Sequence, residues 1–481
     1  MNPTSMFLSQ ALLSRRKSLI AFFWLTLSFL IAVIFPAVGS AASSPKITQT
    51  ITSHGARLLF LQAPSIPIID LAIEIDAGSR WDPVGKEGLA SMTAGMLFRG
   101  LRATQMQPAL NEQALGRIWA DLALERSGGA GQDRTSLRFR FLSDPEVRAP
   151  ATDWIGRVLA HPAFDAEILA REQARAVAGL KDALNRPQTL ASRALWQAMY
   201  PEHAYGRNES IESLSAIAQG DLQGFHRQFW RPDRITVVIV GDLSAQHAQD
   251  LAEKVLAPLA ERQTAGISAA ADPSASEMPA VLAPVRLARE GRRVDIEHTA
   301  SQSHIWMGLP MLARHERHEF FTLMVANHIL GGGGFTSRLT QEVREKRGLS
   351  YSVFSAISPL AQPGPFLVGL QTQRERSQEA LEVVRATLEA YVRDGPTDEE
   401  IEAAKKNLLG GFALRLDSNR KLLETLAQMG FYRMPLNYLD SWTEAVSLVT
   451  KEDIRVILQQ RLVLSRLSTV VVAGGAATES R

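Results

Sequence analysis

Two residues in the stretch V-R-E-K-R-G-L-S-Y could do chemistry together. Arg344 and Tyr351 stand seven apart, across a helix-to-strand junction. A phenolic hydroxyl can donate to a developing oxyanion, and a guanidinium can fork onto a carbonyl oxygen. Taken alone, Arg344 also reads as a surface helix charge and Tyr351 as a strand-end aromatic. Just upstream lies I-L-G-G-G-G-F-T-S-R-L, with Gly331, Gly332, Gly333 and Gly334 in a row. No G-K-[ST] follows, no strand precedes, and a helix leads in, so the tract is not a phosphate loop. It is either a flexible helix-to-helix turn or a loop that touches a bound chain. The chain has ten histidines and no cysteine. Absent cysteine removes thiolate metal sites and a cysteine nucleophile. The tightest histidine pair, His315 and His318, can share a helical face but has no third ligand, and reads as the polar start of a helix.

The elements that must position these residues are set by the whole chain. Its 481 residues exceed one ordinary core, so two or three domains are expected. A composition 46% hydrophobic and 21% charged is globular, and 52 basic against 50 acidic residues give no field for nucleic acid. Arg15, Arg16 and Lys17 precede an uncharged apolar run over residues 18–35, which Pro36 ends and A-V-G-S-A-A-S-S follows. Basic, apolar and small-residue zones in that order make an export signal, with cleavage after Ala41. The apolar run is also just long enough for an uncleaved membrane anchor. Either way, residues 1–41 predict an exported body. It would be periplasmic, or periplasm-facing and anchored in the inner membrane.

Beyond that segment the chain repeats itself. F-D-A-E-I-L-A-R-E-Q, I-A-Q-G-D-L-Q-G-F and I-T-V-V-I-V-G-D answer to T-D-E-E-I-E-A-A-K-K, V-T-K-E-D-I-R-V-I and S-T-V-V-V-A-G-G. Glu167 and Glu400 are 233 positions apart, Asp221 and Asp453 232. A near-constant offset through three elements predicts two copies of one α+β domain, over 46–262 and 291–476. Residues 263–290, rich in Ala, Ser and Pro, have linker composition. Alternating runs predict strands at 68–78 and 135–142, then 301–309, 350–358 and 364–373. Helices are predicted near 87–99, 107–118, 146–160, 165–182, 187–200 and 211–229. In the second copy they fall near 317–330, 336–346, 376–393, 397–415 and 450–461.

Three stretches resemble the pitrilysin (insulinase) family of zinc metallopeptidases. They are G-S-R-W-D-P-V-G-K-E-G-L-A-S-M-T-A-G-M-L-F-R-G, A-M-Y-P-E-H-A-Y-G-R and S-R-L-T-Q-E-V-R-E-K-R-G-L-S-Y-S-V. With the duplication, the resemblance covers nearly all of the chain after the signal. It implies two homologous domains in a clamshell. Active members carry H-x-x-E-H on the first helix, where histidines at i and i+4 share Zn²⁺ and the glutamate is the general base. Here Ser91 and Gly95 stand at the histidines and Ala94 at the glutamate. On a later helix Glu172 matches the first of two family glutamates, and Gly179 falls at the second, the metal ligand. His203 matches a position of structural packing. The family's Arg/Tyr pair, which contacts substrate backbone and the tetrahedral intermediate, falls on Arg344 and Tyr351. Its glycine-rich substrate-binding loop falls on Gly331 to Gly334. The resemblance therefore implies a non-catalytic subunit, with no metal or cofactor in this chain and zinc in a homologous partner subunit. Peptides would be its substrates. The alternative is a non-enzymatic peptide-binding or structural scaffold.

Overall fold

The computed structural model describes residues 46–266 and 282–473. The expected signal or anchor, and the middle of the expected linker at 267–281, lie outside the described residues. Strands β1 (Ile47–Ile51), β2 (Arg57–Gln62), β3 (Ile68–Ile75), β4 (Glu125–Ala130), β5 (Thr135–Leu142) and β6 (Ile235–Gly241) form one sheet, in the order β1-β2-β6-β3-β5-β4. Strands β7 (Arg293–Ile296), β8 (Gln302–Leu312), β9 (Val353–Ile357), β10 (Gly364–Gln373) and β11 (Ser468–Val472) form a second, in the order β9-β10-β8-β11-β7. Taken from its other end, the second sheet repeats β2-β6-β3-β5-β4 strand for strand. In both, the parallel pairing falls at the same place, β2 with β6 and β7 with β11. The duplication read from sequence is thus a duplication of topology, and the fold is α+β in two homologous halves.

The helices of the first half are α1 (Leu89–Met96), α2 (Glu112–Asp121), α3 (Pro145–Ala160), α4 (Ala166–Ala183), α5 (Pro187–Met199), α6 (Ile211–Ala216), α7 (Gln219–Phe229) and α8 (Ala245–Gly266). Those of the second are α9 (Arg317–Asn327), α10 (Ser377–Asp394), α11 (Asp398–Gly410), α12 (Asn419–Phe431), α13 (Tyr438–Leu448) and α14 (Lys451–Arg461). Local capping corrects several expected boundaries. The single helix expected at 211–229 is two, because Asp221 accepts the Ala218 N–H at 2.8 Å and starts a new helix there. Asp453 does the same for α14, accepting the Thr450 N–H at 2.9 Å. The helix expected at 107–118 begins only at Glu112, where the Asn111 side chain accepts the Ala114 N–H at 2.8 Å. The one expected at 397–415 stops at Gly410. The expected helix at 336–346 is a 3₁₀ turn followed by a π-helical turn, Thr340–Glu345. Helix α8 runs to Gly266, past the expected start of the linker, and residues 282–290 form no helix or strand.

Each sheet buries one face under its own helices. Ile69, Leu71 and Ile73 meet Ile155 and Leu159 of α3 and Val255 and Leu259 of α8. Ile305, Met307 and Leu309 share a core with Val384 and Leu388 of α10. The other faces are covered by exchange between halves. Leu423, Leu426 and Met429 of α12 seat on Leu59, Leu61, Val238 and Val240 of the first sheet. Reciprocally, Ala191, Leu195 and Met199 of α5 seat on Val470 and Val472 of the second. Glycine permits both approaches. A Cβ at Gly430 would stand 2.6 Å from Thr236 Cγ2, and one at Gly308 would stand 2.8 Å from Met199 Sδ. Two halves that each cap the other's sheet form one compact unit.

A buried carboxylate locks this seam. Asp133, 2% exposed, accepts from Arg80 Nη1 at 2.8 Å, from the Tyr205 hydroxyl, from Tyr432 at 2.8 Å and from the Ala361 N–H at 2.7 Å. Arg80 and Tyr205 belong to the first half, Tyr432 and Ala361 to the second. A buried charge with four donors is satisfied in the way a lone one is not.

Candidate functional site

Helix α1 is held at its start by Asp82. That carboxylate accepts the Gly88 N–H at 2.9 Å and the Ala90 N–H at 2.8 Å, where the helix dipole favours negative charge. Burial opposes this and pushes the Asp82 carboxyl up to about 7, against the two backbone bonds that lower it. Gly88 takes φ +102°, a left-handed conformation that suits glycine. Leu89, Ala90 and Met96 go into the core, while Ser91 and Gly95 are left on the open face. Helix α4 lies beside it, capped by Asp165, whose side chain accepts from Glu167 and Ile168. Together they wall a cavity of about 620 Å³ whose lining includes Ser91, Gly95, Glu172 and Gly179. The structure therefore brings three of the four expected metal positions to one place. The fourth, Ala94, is 3% exposed and does not line the cavity.

The donors there do not fit zinc. A catalytic zinc needs three protein ligands, typically imidazole and carboxylate. This cavity offers no imidazole, only the hydroxyls of Ser91 and Thr189 and two carboxylates, Glu172 and Glu209, on a floor that includes Met92, Met96, Leu180 and Leu214. Glu209 is paired with Arg193 at 2.9 Å. Glu172 is already bridged by Arg99 at 3.2 Å, Arg171 at 2.8 Å and Arg175 at 2.9 Å. Arg171 also binds Glu112 and holds that carboxyl below its usual range. Three guanidiniums shared between two acids, Glu172 and Glu112, leave a local excess of positive charge, which repels a divalent cation. Among the described residues, no group of three or more His, Asp or Glu side chains is placed to hold a metal.

The second half presents the Arg/Tyr pair on its surface. The Arg344 guanidinium lies 4.7 Å from the Tyr351 ring centroid and 4.8 Å from that of Phe335, so it stacks between two exposed aromatics. Tyr351 is 84% exposed and Phe335 67%. Tyr351 stands two residues before β9, an edge strand. Phe335 was not singled out in the sequence; its place after the glycine tract and two turns from Arg344 is the signal that could have found it.

The glycine tract is a packed turn. Gly331 and Gly332 end a π-helical turn, His328–Gly332. A Cβ at Gly331 would meet Ser355 Oγ at 2.5 Å, one at Gly332 would meet Asn327 Nδ2 at 2.7 Å, and one at Gly333 would meet the His328 carbonyl at 2.6 Å. Gly334 has open space and a left-handed φ of +62°, and swings the chain out to Phe335. His203 is buried, with Nδ1 accepting the Tyr205 N–H at 3.1 Å, as structural packing requires. His315 and His318 are exposed at the start of α9.

Fold and site together define a class: a duplicated α+β protein whose first half has no ligand set for zinc. Residues 216–408 match the family described as peptidase M16 inactive domain. An uncharacterised zinc protease of Mycobacterium tuberculosis is 25% identical over 91% of this chain and 95% of its own length. A Helicobacter pylori protein named a non-peptidase homologue is 21% identical over 92% of this chain and 98% of its own. A solved peptidase M16 inactive domain from Pseudomonas fluorescens is 29% identical, with a TM-score of 0.79, over 90% of this chain and 99% of that one. Over most of its length the chain is thus similar to M16 peptidases, and over residues 216–408 it matches the inactive domain of that family.

Proposed function

We propose that this chain is the non-catalytic subunit of an exported two-chain zinc metallopeptidase. It would bind peptide and present Arg344 and Tyr351 to the zinc centre of a homologous partner subunit. One observation carries the reading. The first half lacks a ligand set, while the second half keeps a hydroxyl and a guanidinium on the surface, outside its own core. Among the described residues no side chain or backbone group hydrogen-bonds the Tyr351 hydroxyl, which leaves it free to donate to an oxyanion. Strand β4 adds support. It is an edge strand, exposed from Glu125 to Gly129, and Arg126 stacks on Phe98 just after α1. An extended peptide can add to such an edge through main-chain bonds, with little demand on its sequence.

The test is to express the chain alone and with a homologue that carries H-x-x-E-H. The pair should cleave an unstructured peptide in a zinc-dependent way, and the chain alone should not. Cleavage by the pure chain with stoichiometric zinc would overturn the proposal. A stable assembly that lacks any zinc-bearing homologue would establish the scaffold reading instead. Export is tested separately, by fractionating cells and sequencing the mature N-terminus, with residues 18–35 either removed or retained.

A further inference from the structure

A second cavity, of about 540 Å³, lies on the seam between the halves. Its lining includes five arginines and no lysine: Arg57, Arg80 and Arg234 from the first half, Arg314 and Arg433 from the second. Two of the five are neutralised. Asp76 pairs with Arg80 and with Arg234, each at 2.8 Å. The other lining acid, Asp233, pairs with Arg231 at 3.0 Å. Among the described residues, Arg57, Arg314 and Arg433 have no acidic partner.

Each of the three is held there at a cost to the fold. Arg57 donates to Gln49 Oε1 at 3.3 Å, a weak neutral bond. Its pKa is lowered first by burial and then by the charge of Arg433 across the seam, so two like charges are kept together. Arg314 donates Nη2 to the Pro359 carbonyl at 3.1 Å and lies over the Tyr432 ring, yet its buried Nε finds no partner. Arg433, the left-handed residue (φ +52°) that ends α12, is carried to the cavity by that helix's C-terminal turn. An orphaned buried donor and an uncompensated pair of cations converge on one cavity.

The geometry points to a binding site for a small polyvalent oxyanion of the phosphate class, clasped between Arg57 of the first half and Arg314 and Arg433 of the second. Planar guanidinium forks match tetrahedral oxyanions in a way that lysine does not, which accounts for an all-arginine lining. The volume exceeds that of a single phosphate and suits a chain of two or three. Because its ligands come from both halves, the anion would bolt the seam that α5 and α12 already close. The site is remote from Arg344 and Tyr351 in sequence and shares no residue with the vacated cavity, so it stands or falls independently of the peptidase reading.

The test is calorimetric titration of the whole chain with inorganic pyrophosphate and tripolyphosphate, against potassium chloride at matched ionic strength. Saturable binding at one site per chain is expected, with the thermal midpoint rising as pyrophosphate is added. The Arg57→Gln/Arg433→Gln double variant should bind at least tenfold more weakly. Without anion its thermal midpoint should equal or exceed that of the parent, because a repulsion has been removed. A structural role for these arginines predicts the opposite, a lower midpoint. No saturable heat at millimolar pyrophosphate, undiminished binding by the double variant, or a fall in its unliganded midpoint would each overturn the site. Should the double variant fail to fold, Arg433→Gln alone, at an exposed position, carries the same comparison.

Discussion

The Arg344 guanidinium lies over the ring of Tyr351, 4.7 Å from its centroid, on a surface that the other described residues leave open. The contact fixes the tilt of the ring while leaving the hydroxyl outermost. Orientation of a donor by stacking, without use of its hydrogen-bonding group, is what a residue needs if it serves a centre outside its own chain.

Replacing Tyr351 by Phe removes only that hydroxyl. In the proposed two-chain peptidase, kcat should fall by about 100- to 1000-fold, the usual loss for one oxyanion donor. The isolated chain should keep its stability within about 0.5 kcal/mol, as an exposed substitution does. Steady-state cleavage of the pair and urea melts of the single chain are the paired measurements. Unchanged kcat would remove Tyr351 from the mechanism.

Gly179 sits in the interior of α4, and a Cβ there meets nothing within 4 Å. Replacement by Ala should therefore stabilise the chain by about 0.5–1 kcal/mol, the usual helix-interior penalty of glycine. Chemical denaturation reads it directly. A loss of stability would mean that the cavity is filled in a way the lining does not reveal.

Rebuilding the motif should not rebuild the metal site. Ser91→His, Ala94→Glu and Gly95→His together supply the i, i+4 pair, yet Glu172 stays bridged by three arginines and Gly179 supplies no ligand. Metal analysis after dialysis should find far less than one zinc per chain. Adding Gly179→Glu should raise occupancy, since that position has room.

Asp133 is predicted to be the most sensitive polar position on the seam. Its replacement by Ala leaves Arg80 Nη1, the Ala361 N–H and two tyrosine hydroxyls without this acceptor in a buried place, while Arg80 Nη2 keeps Asp76. Losing one partner of a buried ion pair costs about 3–5 kcal/mol. Urea denaturation should show a midpoint lowered to match. A shift below about 1 kcal/mol would show that water reaches the seam and that the node is not a lock.

His161 gives the chain an acid-side instability. Burial first, then the charges of Arg102, Arg262 and Arg157, push its imidazole down to about 4 from an ordinary 6.5. The fully buried His226 beside Arg262 is depressed as well, chiefly by burial. Between pH 6.5 and 4 the unfolded chain binds protons that the folded chain refuses. The histidine contribution to stability should therefore be full above about 6.5 and decline as pH falls through that window, against the opposite contribution of Asp82, whose carboxyl is raised to about 7. His161→Gln should flatten the decline, measured as thermal midpoint against pH. An unchanged slope would assign it to other groups.

The legible part of this protein is local. Strand alternation and the repeated acid at the third position of α7 and α14 are short-range patterns, and they carried the duplication and the α+β class. Ser91, Gly95 and Gly179 could be placed by the motifs around them because a helix fixes the face on which positions i and i+4 lie. Boundaries failed where a second cap interrupted an apolar run, as at Ala218, or where glycines turned an α-helix into a π turn, as at Gly331.

What the sequence by itself determined is the kind and order of the elements, and the absence of imidazole and thiolate from the metal positions. Only the tertiary structure decided how those elements share their surfaces. The apolar stripes of α5 and α12 are visible in the chain, but that each covers the other half's sheet is not, because an apolar stripe does not name its partner. The same holds for charge. Arg57, Asp133, Arg314 and Arg433 are unremarkable residues far apart in sequence. Their energies depend on burial and on neighbours hundreds of positions away, so one became a lock and the other three a candidate anion site only when the halves closed.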